Sequence, residues 1–364
     1  MFKKNIGFAL GLGTILLHFI SNLWLNDEFY IIYSSYIFPV IRFTYDFSFG
    51  RLTFPMLYPF IFVLLLLLLG FLMNLYSKLI EFGLRTSIKY TFQKTINFFG
   101  FLFFLFYFLW AFNYQRPTLE KQLGLPEVSL DSTVLLLELD TITKLLESER
   151  YLLTTLDSAF NKQFIWKILE DSIRNDQIKL LSGWGDKVVG NVRIRALYPK
   201  GSLLSISTAG VYIPFICEGH VDPGLHVLQI PFTLAHEMAH GHGYTDEGVC
   251  NFIGLITCLK SKDAWIRYSG LLSYWRYLFI HVKQINPEIA MGKFKLLNVG
   301  IKADLIDIAD NQKRYPDIMP EIRNYIYDLY LKLNGVEAGL NSYGEITEKV
   351  LRWKKSKHAF SLSR

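Results

Sequence analysis

Apolar residues fall first in long runs and then in short periodic ones. Residues 5–25, 56–76 and 95–112 are almost wholly apolar, and 64–69 is an unbroken run of leucine. Each run is close to the roughly 20 residues that a helix needs to cross a bilayer. The first follows Lys3 and Lys4 and lacks a small-x-small cleavage site, so it is expected to be a span and not a signal peptide. Residues 29–49 are apolar and aromatic but interrupted by Pro39, Arg42 and Asp46, which predicts an interfacial segment. Beyond residue 113 the texture changes. Pro117 and Pro126 mark the exit from the membrane, and apolar residues at helical spacing predict helices over 131–153 and 166–181. From Lys187 the β-branched runs 188–197, 203–207 and 211–217 predict a small sheet, and Pro214 suits an edge strand. Helices are expected again at 265–281, 296–310, 320–333 and 346–355. The expected fold is mostly α with a small β-sheet, an α+β domain preceded by about three N-terminal transmembrane helices. The expected division is a membrane domain 1–113, a helical connector 114–185 and a second domain 186–364.

Composition supports a membrane segment: 51% of residues are hydrophobic, only 19% are charged, and mean hydropathy is +0.24, too apolar for an ordinary soluble enzyme. The positive charges orient it. Lys3 and Lys4 precede the first run, and Lys78, Arg85, Lys89 and Lys94 lie between the second and third, which predicts that these stretches face the cytoplasm. Everything after Asn113 is then extracytoplasmic. The net charge of +6 is dispersed, and the basic run 352–357 is expected to cap a solvated helix. No nucleic-acid motif accompanies it. Cys217, Cys250 and Cys258 form no C-x-x-C pair and are expected to be small buried hydrophobes.

The specific chemistry lies in Thr233–Asn251. His236-Glu237-x-x-His240 places two imidazoles four residues apart, on one helix face, with a glutamate beside them. Two neutral imidazoles and an oxygen ligand make an open zinc site, and Glu237 is positioned as a general base. Gly241-His-Gly243 predicts the end of that helix, and Asp246-Glu247 the acidic start of another. Glu247 and Asn251 share a face of this second helix. Glu247 is the expected third ligand, and Asn251 the residue that orients a ligand. Asp246 fits an alternative spacing, x-x-Gly243-x-x-Asp246, as third ligand. Glu218 is a candidate to bind a peptide amino group or brace the strand, while His220 and His226 are expected to be polar surface residues.

His236-Glu-x-x-His240 followed by Glu247-x-x-Cys250-Asn251 resembles the gluzincin pattern, with Cys250 where an alanine is expected. Together with Asn113-Tyr114 and the stretch from Gly210 through Glu218, it resembles a family of bacterial multi-pass membrane proteins that end in a zincin-like domain. The resemblance implies a zincin-like metallopeptidase domain on the extracytoplasmic side of the bacterial cytoplasmic (inner) membrane. It implies one Zn(2+) per chain, a protein or peptide substrate laid along the 210–217 strand, and a downstream residue that stabilises an oxyanion, for which Tyr268 and Tyr343 are the candidates. A catalytically inactive zinc-binding envelope protein is the alternative that these residues also allow.

Overall fold

The computed structural model describes residues 5–21, 23, 26–154, 156–318, 320–321, 325 and 345–359. Tyr343 and most of the helix expected at 320–333 lie outside the described residues. The chain divides into two compact units, Met1–Arg116 with Ile213–Glu218, and Pro117–Tyr212 with Gly219–Arg364.

The first unit is helical: α1 (Ile6–Ile20), α2 (Asn26–Ile32), α3 (Phe38–Phe47) and α4 (Leu57–Leu109). Here the expectation of three transmembrane helices is overturned. The runs 56–76 and 95–112 both fall within α4, 53 residues long, whose two helical parts meet at a kink at Gly83. The charged stretch between them is helical on both sides of Gly83, because it contains no proline and is rich in good helix formers. Lys78 and Glu81 pair three residues apart, which supports helix instead of interrupting it. Only Gly83 leaves helical geometry, at φ 71° and ψ 176°. The run 5–25 yields α1, only 15 residues long. One described helix, α4, is therefore long and apolar enough to cross a membrane. Residues 29–49 are helical throughout most of their length, and Pro39 is accommodated in the first turn of α3, where its missing N–H is not needed.

α1 packs on the later part of α4 through Gly7, Gly11 and Gly100. A Cβ on any of the three would run into the facing backbone, the usual reason small residues mark close helix crossings. Residues 213–218 are held within this unit. Arg42, itself buried, donates from Nη1 to the Cys217 carbonyl at 2.8 Å, and the Tyr45 hydroxyl donates to the Phe215 carbonyl at 2.6 Å. The Met56 N–H donates to Glu218 Oε1 at 2.8 Å, and the Phe215 ring lies against Phe60 and Phe106.

The second unit contains α5 (Leu119–Leu123), α6 (Ser132–Leu153), α7 (Trp166–Gly183), α8 (Ile230–Gly241), α9 (Glu247–Lys260), α10 (Ala264–Ile285), α11 (Pro287–Leu296), α12 (Val299–Lys313) and α13 (Ile346–Lys354). A three-stranded sheet accompanies them, β1 (Ile194–Ala196), β2 (Gly210–Ile213) and β3 (Glu218–Val221), in the order β1-β3-β2. β1 and β3 are parallel, with Ile194 opposite Gly219. The stretch 203–207, expected to be a strand, is a 3-10 turn, because the Asp222 carboxylate gathers the N–H groups of Gly201, Leu203, Leu204 and Gly224. Conversely, the central strand is β3, whose Glu-Gly-His-Val lacks the alternation that would announce it. The helix expected over 296–310 is α12, whose start is set by the Asn298 cap, and α11, from Pro287, precedes it where no helix was expected.

α8 and α9 form the centre of the core, with α6, α7, α10 and α13 around them. Leu139, Ile173, Leu234, Phe252, Leu271 and Trp353 are all buried in one cluster. Two glycines let the helices close up. A Cβ at Gly254 of α9 would stand 3.3 Å from the His236 N of α8, and one at Gly270 of α10 would stand 2.6 Å from Cys258 Cβ. Gly254→Val is expected to force α8 and α9 apart at a cost of about 1–3 kcal/mol. A lowered unfolding temperature of the detergent-solubilised chain, beside an unchanged one for an exposed control such as Gly292→Ala, would show it; no shift would mean the crossing is loose.

Candidate metal centre

α8 begins at a proline, where a missing N–H costs nothing, and ends where Gly243 takes φ 84°. The turn brings the chain straight back into α9, whose start is set by Asp246. Its side chain accepts the Val249 N–H at 2.7 Å, an N-cap. Asp246, the alternative ligand, is thus the residue that caps the helix. The cap puts Glu247 in the first turn, where a carboxylate is favoured by the helix dipole.

His236, His240 and Glu247 come together as a group that could hold a metal ion, with all three ligand atoms within 4.8 Å of one another. His236 Nε2 lies 3.1 Å and His240 Nε2 3.5 Å from Glu247 Oε2. All three residues are less than a tenth exposed. The opposite ring nitrogens are committed: His236 Nδ1 to Asn251 Oδ1 at 2.8 Å and His240 Nδ1 to the Tyr244 carbonyl at 2.9 Å. A carbonyl can only accept, so His240 Nδ1 carries a proton, and in the neutral ring Nε2 presents its lone pair to Glu247. The same logic applies to His236 against the Asn251 oxygen. Three electron-pair donors converging in a buried space require a cation among them, either a proton or a metal ion. Two imidazoles and one carboxylate, with their outer nitrogens fixed, are the donor set of an open divalent-metal site.

The electrostatics of the metal-free cluster show the same demand. Burial alone would raise the Glu247 pKa, but His240 and His236 outweigh it and hold it well below the usual carboxylate range. Burial alone would lower that of His240, but Cys250 and Glu247 hold it well above the usual imidazole value. Burial pushes Glu237 up to about 6 against the pull of the two histidines. Cys250 Sγ is 3.4 Å from His240 Nδ1, and burial pushes its thiol up to about 11, so it stays neutral.

Glu237 is enclosed by the sheet. A Cβ at Gly210 would stand 2.7 Å from Glu237 Oε1, and one at Gly219 3.4 Å from Glu237 Cβ. β2 can therefore lie on this carboxylate only because it carries glycine at 210, whereas a Cβ at Gly219 would clash with Ile194 Cδ1 at 2.4 Å and only touch Glu237. Its Oε2 is buried and has no hydrogen-bond partner among the described residues. β2 is an edge strand of the sheet, ending at Ile213 before the Pro214 turn.

Other candidates go elsewhere. The Tyr268 hydroxyl donates to Asp304 Oδ2, which also takes Arg150, so it belongs to a buried polar node. Glu218 accepts the Met56 N–H. His220 is no surface residue: it is buried on β3, where burial, and then Arg195, push its pKa down to about 4. His226 is buried as well, accepting the Leu228 N–H on Nδ1 and facing Asp307 through Nε2. A residue that the sequence pattern did not single out stands near the cluster. Tyr277 of α10 hydrogen-bonds Asn251, and burial together with Glu247 pushes its hydroxyl up to about 12. Among 21 tyrosines nothing in the sequence marked it.

Asn251→Ala is expected to free the His236 ring and lower metal affinity about 10–100-fold. Competition with a chelator against the wild-type chain measures this, and equal affinities would show that Asn251 does not orient the ligand.

No curated protein and no solved structure matches the chain. Residues 33–351, most of its length, match the family described as Protein of unknown function (DUF3810), and the chain belongs to that family.

Proposed function

We propose that the chain is a membrane-anchored, zinc-dependent metallopeptidase of gluzincin type, acting on proteins or peptides at the membrane surface. The observation that carries this is the convergence of His236, His240 and Glu247 beside a buried glutamate, Glu237, whose Oε2 has no hydrogen-bond partner among the described residues. His236, His240 and Glu247 would hold one zinc ion, which when bound supplies a Lewis acid that polarises a carbonyl and acidifies water. Asn251 and the Tyr244 carbonyl keep the imidazole lone pairs turned inward. Glu237 is the general base: it takes a proton from the attacking water and delivers it to the leaving amine. Its elevated pKa, caused first by burial, suits both halves of that transfer. The edge strand β2 offers backbone groups to an extended peptide, added as a further strand beside Glu237.

The finer localisation belongs to the same proposal. α4 anchors the chain in the bacterial cytoplasmic membrane, and Lys78, Arg85, Lys89 and Lys94, on either side of Gly83, favour the cytoplasmic face. The metal-holding residues then work on the extracytoplasmic side.

Metal content of the purified full-length chain tests the ligands. About one zinc per chain is expected in the wild type, with losses in His240→Ala and Glu247→Ala. Glu237→Gln is expected to keep the metal and lose cleavage of a quenched-fluorescent peptide library by a factor of at least about 100. Retention of metal in Glu247→Ala would remove Glu247 from the site. Cleavage unchanged in Glu237→Gln would remove the peptidase mechanism and leave zinc in a structural or binding role.

A further inference from the structure

We propose that the corner formed by the end of α10, by α11 and by the start of α12 docks on an anionic lipid surface. Six large apolar side chains lie exposed there within twenty residues: Ile280, Ile285, Ile289, Met291, Leu296 and Val299. Leu296, 82% exposed, is the most exposed large hydrophobic residue among the described ones. α11 turns Ala290 inward, with Leu297 just beyond its end also buried. Ile289 and Leu296, seven residues apart, share an outer edge. A helix of a soluble domain would carry polar groups at such positions.

Charge selects the occupant. Between residues 280 and 302 there are four lysines, Lys283, Lys293, Lys295 and Lys302, against one acid, Glu288. Lys293 is neutralised by Asp140. Lys302 Nζ reaches the Lys295 carbonyl, which holds that cation at the end of α11 beside Leu296. Apolar side chains ringed by lysines fit the headgroup–acyl boundary of an anionic leaflet, where the chains enter the lipid and the ammonium groups meet phosphates. A second exposed apolar stretch, with Tyr151, Leu152, Leu156, Ile165 and Ile168, lacks this signature, because its nearby Lys162 and Lys167 pair with Asp263 and Asp171. The chain already carries a membrane-crossing candidate in α4, so a bilayer is within its reach. This inference is independent of any peptidase activity.

The test uses the full-length chain in nanodiscs, with an environment-sensitive fluorophore on Leu296→Cys, and on Met291→Cys as a second site. The three native cysteines are buried, so labelling is directed to the introduced thiol. Lipids carrying a headgroup-level nitroxide serve as the quencher. Quenching several-fold stronger in bilayers containing phosphatidylglycerol than in pure phosphatidylcholine is expected. Replacing Lys283, Lys295 and Lys302 by Gln should abolish that difference. Emission unchanged from the detergent-solubilised state at both sites would overturn the proposal. So would a blue shift without lipid quenching that grows with the number of chains per disc, which would assign the surface to a second copy.

Discussion

Two imidazoles and a carboxylate aimed at one another inside an apolar core are the constraint on which the rest of this unit depends. The Tyr244 carbonyl and the Asn251 oxygen both demand a proton from the outer ring nitrogens, so the inner nitrogens cannot satisfy Glu247 unless a cation joins them. That requirement explains the local design. α8 must stop within one turn of His240, so that the Tyr244 carbonyl can reach back, and Gly243 supplies the left-handed turn. α9 must begin with Glu247, and the Asp246 cap fixes that register. α10 must come close enough for Tyr277 to hold the other side of Asn251. Each element is short of freedom because its neighbour is.

Glycine then decides how closely the sheet approaches. Gly210 permits β2 to rest on Glu237, Gly219 gives room to Ile194, and Gly241 gives room to Val192 and Tyr212. The contact strips water from the carboxylate, and desolvation, acting against two nearby histidines, leaves its pKa raised. A side chain at Gly210 would meet both the carboxyl carbon and Oε1. Close packing and base strength at Glu237 are thus one property, set by the absence of a methyl group on the strand above.

The candidate centre was legible in the sequence because its geometry is local. His236 and His240 share a helix face by spacing alone, and Asp246-Glu247 reads as a cap followed by an acidic first turn. The fold was legible where periodicity was strong, as in α6 and α7, and illegible where a local signal competed with a distant one. Charges at 78–94 look like a loop, yet the stretch is helical on both sides of a kink confined to Gly83. Leu203–Ser207 looks like a strand, yet Asp222, far along the chain, folds it into a turn. β3 owes its place to pairing with Ile194–Ala196, and Glu-Gly-His-Val says nothing of it. Tyr277 is likewise defined only by what α9 brings to it.

The stretch 213–218 clusters with the first unit although it lies between residues 210–212 and 219–221 of the second. It is continuous with β2 on one side and with β3 on the other, yet Phe215, Cys217 and Glu218 have partners in the first unit. Arg42 and Tyr45 donate to the Cys217 and Phe215 carbonyls, and Glu218 receives the Met56 N–H. Two aromatic rings, Phe60 and Phe106, cover Phe215. A chain severed at Arg116 would leave these carbonyls without their donors and Phe215 without its cover, in the connection that joins the strands above Glu237. Arg42 pays in turn: a guanidinium this deeply buried is tolerable only while the carbonyl and Asp46 hold it. The connection between β2 and β3 is thus held by residues more than a hundred and fifty positions earlier in the sequence.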